Sequence, residues 1–219
     1  MATSVEEQRK DYQNARKALR AGKVQEFLAI ADRLKDYPLY PYLRYSYLQP
    51  RVGQVDAGEI QAFFAQYEDF PQADELRAQW LKQLARNKQW QIYFDNYTPQ
   101  QDVVLQCNFL IARINTGNTS LLLEDIRSIW LSGSSLPPDC NPVFTYLYKS
   151  DLMTSELAWQ RFRLAMQKNN TGLARHLRQY LDADHQQWAN LWLAVHGNPD
   201  QETRNPRMED TPVAREILG

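Results

Sequence analysis

The sequence predicts an all-α fold, and three observations carry that prediction. Apolar residues recur at i, i+3, i+4 and i+7 almost throughout the chain. No convincing run of alternating apolar and polar β-branched residues occurs, and there is no Asn-Gly or Asp-Gly hairpin signal. Glycine- and proline-bearing breakers cut the apolar stripes into segments of about 10 to 16 residues. The resulting rhythm is helix, short turn, antiparallel helix, repeated five or six times. Short turns between amphipathic helices leave each helix only its neighbour to pack on. The expected architecture is therefore a right-handed superhelix, an α-solenoid arc of about ten to twelve helices in antiparallel pairs. A fixed 34-residue period with the W-x2-L-G-x2-Y signature is missing, so the pairs are irregular and not a tetratricopeptide array.

In chain order, the break at Gly22 precedes a stripe of Val24, Phe27, Leu28, Ala31 and Leu34. The segment from Lys35 to Leu48 follows, with five tyrosines in eleven positions: Tyr37, Tyr40, Tyr42, Tyr45 and Tyr47. Two readings fit it. Tyr37 and Tyr40 staple a helix entry while Tyr42, Tyr45 and Leu48 pack inward; or the rings face outward as flat amphipathic surfaces on which a sugar can stack, with hydroxyls left to hydrogen-bond. Further breaks fall at Pro50 to Gly53, Phe70-Pro71 and Thr98-Pro99. The next stripes are Val103, Cys107, Leu110, Ile111 and Ile114, then, past Asn115 to Asn118, Leu122, Ile126, Ile129 and Trp130. Ser132 to Pro138 and Asn169 to Gly172 read as turns. Asp182-Ala183-Asp184 reads as an N-cap, because an Asp oxygen accepts from the orphan N–H groups of a helix start. Trp188, Leu191, Trp192 and Val195 form the last full stripe. After Gly197 the composition changes to a linker at about 198–206, before a short amphipathic pattern from Val213 to Leu218.

The chain's 219 residues carry 25 Lys+Arg against 26 Asp+Glu, a net charge of -1, which gives no bulk pull toward nucleic acid or an anionic membrane. No run of about 18 apolar residues exists to span a bilayer. Residues Met1 to Glu7 lack the apolar core of a signal peptide, which fits either a cytosolic protein or one whose leader has been removed. His176, His185 and His196 have no metal-ligand spacing, and no metal or other cofactor is expected. There is no G-x-S-x-G elbow and no phosphate-cradling G-x-x-x-x-G-K-[ST]. Cys107 and Cys140 are either buried free thiols of a cytosolic protein or one structural disulfide of an exported one.

The tyrosine segment resembles the N-terminal superhelical domain of the soluble lytic murein transglycosylases. The resemblance recurs in order downstream. It appears in Gln106-Cys107-Asn108 followed by Asn115-Thr116-Gly117, in Trp130-Leu131-Ser132-Gly133 followed by Asp139-Cys140-Asn141, and in Arg163-Leu164-Ala165-Met166 followed by Asn170-Thr171-Gly172-Leu173. It covers about residues 5–173. In that family the helical ring precedes a linker domain and a lysozyme-like domain, whose single catalytic glutamate cleaves peptidoglycan glycan strands to 1,6-anhydromuramoyl ends. That glutamate is followed by Ser, ahead of a Gly-Leu-Met-Gln-Ile type block. None of the eleven glutamates of this chain precedes a Ser, and the block is missing. The resemblance thus implies a partial superhelix domain over residues 1–219 without the catalytic lysozyme-like domain, itself inactive and without a catalytic residue. It further implies a periplasmic location, a Cys107–Cys140 disulfide, glycan strands as partner, and a monomer that neither enters the membrane nor binds nucleic acid. Glycan contacts are expected from Tyr37, Tyr40, Tyr42, Arg44, Tyr45 and Tyr47. The alternative is a free-standing helical-repeat interaction adaptor with no enzymatic activity.

Overall fold

The structure, a computed structural model, describes residues 4–199 and 211–218. Among these residues there is no strand, and none of the helices is long and apolar enough to cross a membrane. The chain divides into two compact units, Met1–Thr98 and Pro99–Gly219.

The first unit contains α1 (Val5–Arg20), α2 (Val24–Asp32), α3 (Tyr40–Leu48), α4 (Ala57–Gln66), α5 (Ala73–Arg86) and α6 (Trp90–Asn96). Helix α1 opens with a capping box. Ser4 Oγ accepts from the Glu7 N–H, and the Glu7 carboxylate accepts from the Ser4 N–H, which satisfies two orphan donors of the helix start. Phe27, Leu34, Leu43, Leu48, Ile60, Leu76, Trp80, Leu81 and Tyr93 form the core. Each side chain of this kind contributes roughly 1.5–3 kcal/mol on burial.

The second unit contains α7 (Val103–Thr116), α8 (Leu122–Trp130), α9 (Asn141–Tyr148), α10 (Ser155–Gln167), α11 (Thr171–Leu177), α12 (Ala183–Gly197) and α13 (Pro212–Leu218). Its core runs from Cys107 and Leu110 through Trp130, Val143 and Phe162 to Trp192 and Ile217. The two cysteines are joined. Cys107, on α7, and Cys140, just before α9, form a disulfide with Cα atoms 5.0 Å apart and both side chains fully buried. Gly133 in the α8–α9 connection lies so close to α10 that a Cβ there would stand 2.2 Å from the Leu164 carbonyl oxygen. The Arg161 side chain from α10 braces the same connection, its Nε–H donating to the Ser132 carbonyl at 3.1 Å and its guanidinium lying 4.6 Å from the Trp130 ring centroid.

Three helix pairs, α1–α2, α5–α6 and α10–α11, share one connection. In each, the first helix ends in a Schellman turn whose left-handed residue is Gly22 (φ 71°), Lys88 (φ 55°) or Asn169 (φ 55°). The same two bonds close each turn: Lys23 N–H to Ala18 O and Gly22 N–H to Leu19 O; Gln89 to Leu84 and Lys88 to Ala85; Asn170 to Ala165 and Asn169 to Met166. The next helix starts two residues after the left-handed residue every time. The connection thus recurs in the backbone with three different residues at its left-handed position.

One difference from expectation concerns the helices. They run from seven to sixteen residues, shorter at the lower end than expected, because turns such as Asn87–Gln89 and Arg178–Leu181 carry neither Gly nor Pro. The segment after Val213 is docked against α10: Glu216 accepts from Arg163 Nε at 2.7 Å and from Gln167 Nε2 at 2.8 Å, and Ala214 is buried. Of the linker expected at 198–206, residues 200–206 lie outside the described residues.

Candidate functional site

The tyrosine segment forms α3, and its helical phase divides the six expected contact residues. Pro41 sits in the first turn, where its missing N–H costs nothing. Tyr40, Leu43, Tyr47 and Leu48 then fall on the inward face. Tyr47 stacks on Phe27 with centroids 5.4 Å apart, and its ring lies under Arg44 at 5.4 Å and Arg51 at 5.0 Å. Tyr40 and Tyr47 are each 8% exposed, so neither offers a ring face to a ligand. Arg44 is engaged as well, its Nη2 2.7 Å from Glu59 Oε1. Tyr37 is half-buried against Tyr12.

Tyr42, which the core-packing reading placed inward, faces outward instead, while Tyr45 is half-buried beside it. Tyr42 is 40% exposed and meets Phe70 edge-on at 5.0 Å; the half-buried Tyr45 meets the same ring at 5.7 Å. Together with Leu39, also 40% exposed, they form an aromatic shelf at the start of α3. Burial, and after it the adjacent Glu75 carboxylate that Tyr45 hydrogen-bonds, hold the Tyr45 phenol above its ordinary pKa, so it stays a neutral donor.

The first unit also carries two concavities. An open groove of about 420 Å³ is lined by Leu19, Arg20, Ser46, Pro50, Arg51 and Gln54. A more enclosed cavity of about 240 Å³ lies between the loop entering α4 and the α5–α6 turn, with Trp80, Gln83, Asn87, Gln89 and Asp56 on its wall.

In the second unit, Ser155, His185 and Asp182 converge. Ser155 Oγ is 2.9 Å from His185 Nδ1, and both Asp182 oxygens are 3.0 Å from that same nitrogen. A nucleophilic triad needs the base to meet the hydroxyl through one ring nitrogen and the carboxylate through the other. Nε2 is instead 3.7 Å from Glu156. The cluster is a double helix cap: Asp182 accepts from the His185 N–H at 2.9 Å, and Ser155 Oγ accepts from the Asp182 N–H at 2.9 Å. The backbone bond from His185, with the Ser155 hydroxyl second, lowers the Asp182 carboxyl to about 2. The other histidines do not join it, for His196 Nε2 lies 3.1 Å from Asn169 Oδ1 and His176 lies beside Gln179. No group of three or more metal-ligating side chains occurs among the described residues.

No family model matches the chain. The soluble lytic murein transglycosylase of Escherichia coli K12 is 30% identical over 202 residues, and that of Salmonella typhimurium LT2 is 29% identical over the same length. The chain is homologous to the superhelical region of soluble lytic murein transglycosylases. The match takes in 91% of the chain but only 31% of either relative's length. Among solved structures, the 70-kDa soluble lytic transglycosylase in complex with bulgecin A superposes with a TM-score of 0.78 at 28% identity, over 98% of this chain and 35% of that one. The lytic transglycosylase Slt of Pseudomonas aeruginosa gives 0.75, also at 28% identity, over 95% of this chain and 34% of its own. The matched fold is a helical superhelix, the architecture expected from the sequence.

Proposed function

We propose that these 219 residues are the non-catalytic helical scaffold of a periplasmic lytic transglycosylase, a region that holds peptidoglycan glycan strands and leaves cleavage to a domain outside this sequence. The observation that carries the reading is the pairing of two facts. The chain aligns over 91% of its length with a soluble lytic murein transglycosylase, and none of its eleven glutamates has the Ser neighbour of that family's catalytic acid. General-acid cleavage of a glycosidic bond needs one positioned carboxyl with a raised pKa. The Glu7, Asp32 and Asp182 carboxyls are instead held below their ordinary values by hydrogen bonds.

Within this reading, the shelf of Tyr42 and Tyr45 is the part of the expected contact set that can meet a sugar, by stacking its C–H face on the rings. The test is co-sedimentation of the chain with purified sacculi, followed by analysis of the supernatant. The chain should pellet with the sacculi, release no anhydromuropeptides, and pellet less after Tyr42→Ala. Release of anhydro products would mean that a catalytic carboxylate has been overlooked, and failure to pellet would remove glycan holding.

A further inference from the structure

We infer that the cavity between the α4 entry loop and the α5–α6 turn is a subsite for one neutral pyranose unit, with Trp80 among its lining residues. The inference rests on the glycan reading above but uses none of the tyrosines.

Four observations carry it. Trp80 is only 2% exposed, and its indole N–H has no hydrogen-bond partner among the described residues. It is also not among the polar atoms sealed away from solvent without a partner, which are Tyr67 Oη, Gln72 Oε1 and Arg178 Nε, and Trp80 is one of the residues that line the cavity. The wall carries three side-chain amides, and their mutual bonding is incomplete. Gln83 Nε2 donates to Asn87 Oδ1 at 3.3 Å, which leaves the Gln83 oxygen, the Asn87 amide nitrogen and the whole Gln89 amide without partners. Asp56 spends Oδ1 on the Gly58 N–H and keeps Oδ2 as an acceptor. No Lys or Arg lines the cavity.

This set discriminates among ligands. The lack of a cation and the presence of the Asp56 carboxylate disfavour an anion, and one carboxylate at an exposed edge is a poor host for a bare metal ion. Closely spaced amide donors and acceptors beside an indole instead match a ring bearing several hydroxyl or acetamido groups, each both donor and acceptor. The volume, about 240 Å³, is below the roughly 300–1,000 Å³ of sites for drug-sized ligands, which points to a single ring. The N–H groups of Asn87, Lys88 and Gln89 donate to the Gln83, Ala85 and Leu84 carbonyls, so the turn presents its side chains from a fixed backbone.

The experiment is a ¹H–¹⁵N titration of the full chain with N-acetylglucosamine trimer. Saturable shifts are expected at the Trp80 indole N–H and at the side-chain NH₂ groups of Gln83, Asn87 and Gln89. Gln89→Ala, an exposed position whose side chain caps nothing, should weaken the apparent affinity by about fivefold to tenfold with the circular dichroism spectrum unchanged. Gln83→Leu should do the same. Shifts confined to Tyr42 and Tyr45 would overturn the subsite while leaving the glycan reading in place. Unmoved cavity signals in a protein that still pellets with sacculi would do likewise. A protein that neither shifts nor pellets loses both.

Discussion

Replacing Lys88 by Gly should stabilise the protein, although glycine placed at a helix end without need is normally a loss. Lys88 is held at φ 55°, where an L-residue with a Cβ suffers roughly 1–2 kcal/mol of steric cost. Lys88→Gly removes that cost. Against it stands the extra freedom glycine gives the unfolded chain, about 0.4–1 kcal/mol. The exposed Lys88 side chain makes no hydrogen bond or ion pair among the described residues, so nothing else is lost. The net gain is about 0.5–1 kcal/mol. Gly22→Ala is the mirror experiment at the equivalent turn. A Cβ at Gly22 meets no atom within 4 Å, so the change adds φ strain and no clash, and it should cost about 0.5–1 kcal/mol. Asn169→Gly should fall between the two, because Asn tolerates the left-handed region and its Oδ1 is 3.1 Å from His196 Nε2. Urea unfolding followed by far-ultraviolet circular dichroism gives the order directly, provided the m-values are unchanged. If Lys88→Gly lowered stability by the ~1 kcal/mol expected in a helix interior, Lys88 would not be left-handed and the shared turn would fall with it.

Three other outcomes follow from the second unit. Alkylation before and after reduction, read by intact mass, should find no free thiol until the Cys107–Cys140 bond is reduced; Cys107→Ala with Cys140→Ala should cost roughly 3–4 kcal/mol, the loop-entropy value for a separation of 33 residues. Gly133→Ala should lower stability by at least 1–3 kcal/mol in a thermal melt, because the added methyl meets the Leu164 backbone carbonyl and not a side chain that can swing aside. The Asp182 carboxyl, lowered to about 2 from 3.8, contributes stability that is fully present above its ordinary value and is lost as pH falls through about 2; an NMR titration of the His185 amide should report that midpoint, and Asp182→Asn should abolish it.

The helical class was legible because burying an amphipathic helix leaves a periodic trace. Phe27, Leu110, Ile126 and Trp130 all lie where the stripes placed them. The caps were legible for a similar reason, since Asp182 carries the oxygen a helix start requires. The connections were legible only where chemistry marks them. Gly22 and Asn169 belong to residue types that accept positive φ, while Lys88 accepts it under strain imposed by the helices on either side. A rule keyed to Gly and Pro therefore found two of the three equivalent turns and missed the third.

The site was less legible than the fold, and α3 shows why. Five tyrosines in eleven residues suggest a contact surface, but a helix turns 100° per residue, so the rings are divided between faces. Tyr40 and Tyr47 are seven apart and point together into the core, and Tyr42, two residues after Tyr40, points out. Composition supplied the chemistry, while phase decided which rings a sugar could reach. The cavity at Trp80 has no local signature at all, because Asp56 comes from a loop, Trp80 and Gln83 from α5, and Asn87 and Gln89 from the turn beyond it. Their partnership depends on the α5–α6 turn holding its left-handed residue. Relaxing that turn with Lys88→Gly should therefore leave the cavity's signals in place while raising stability. A glycine that stabilised the fold but scattered the Asn87 and Gln89 resonances would show that the strain at Lys88 is what keeps the amides aligned.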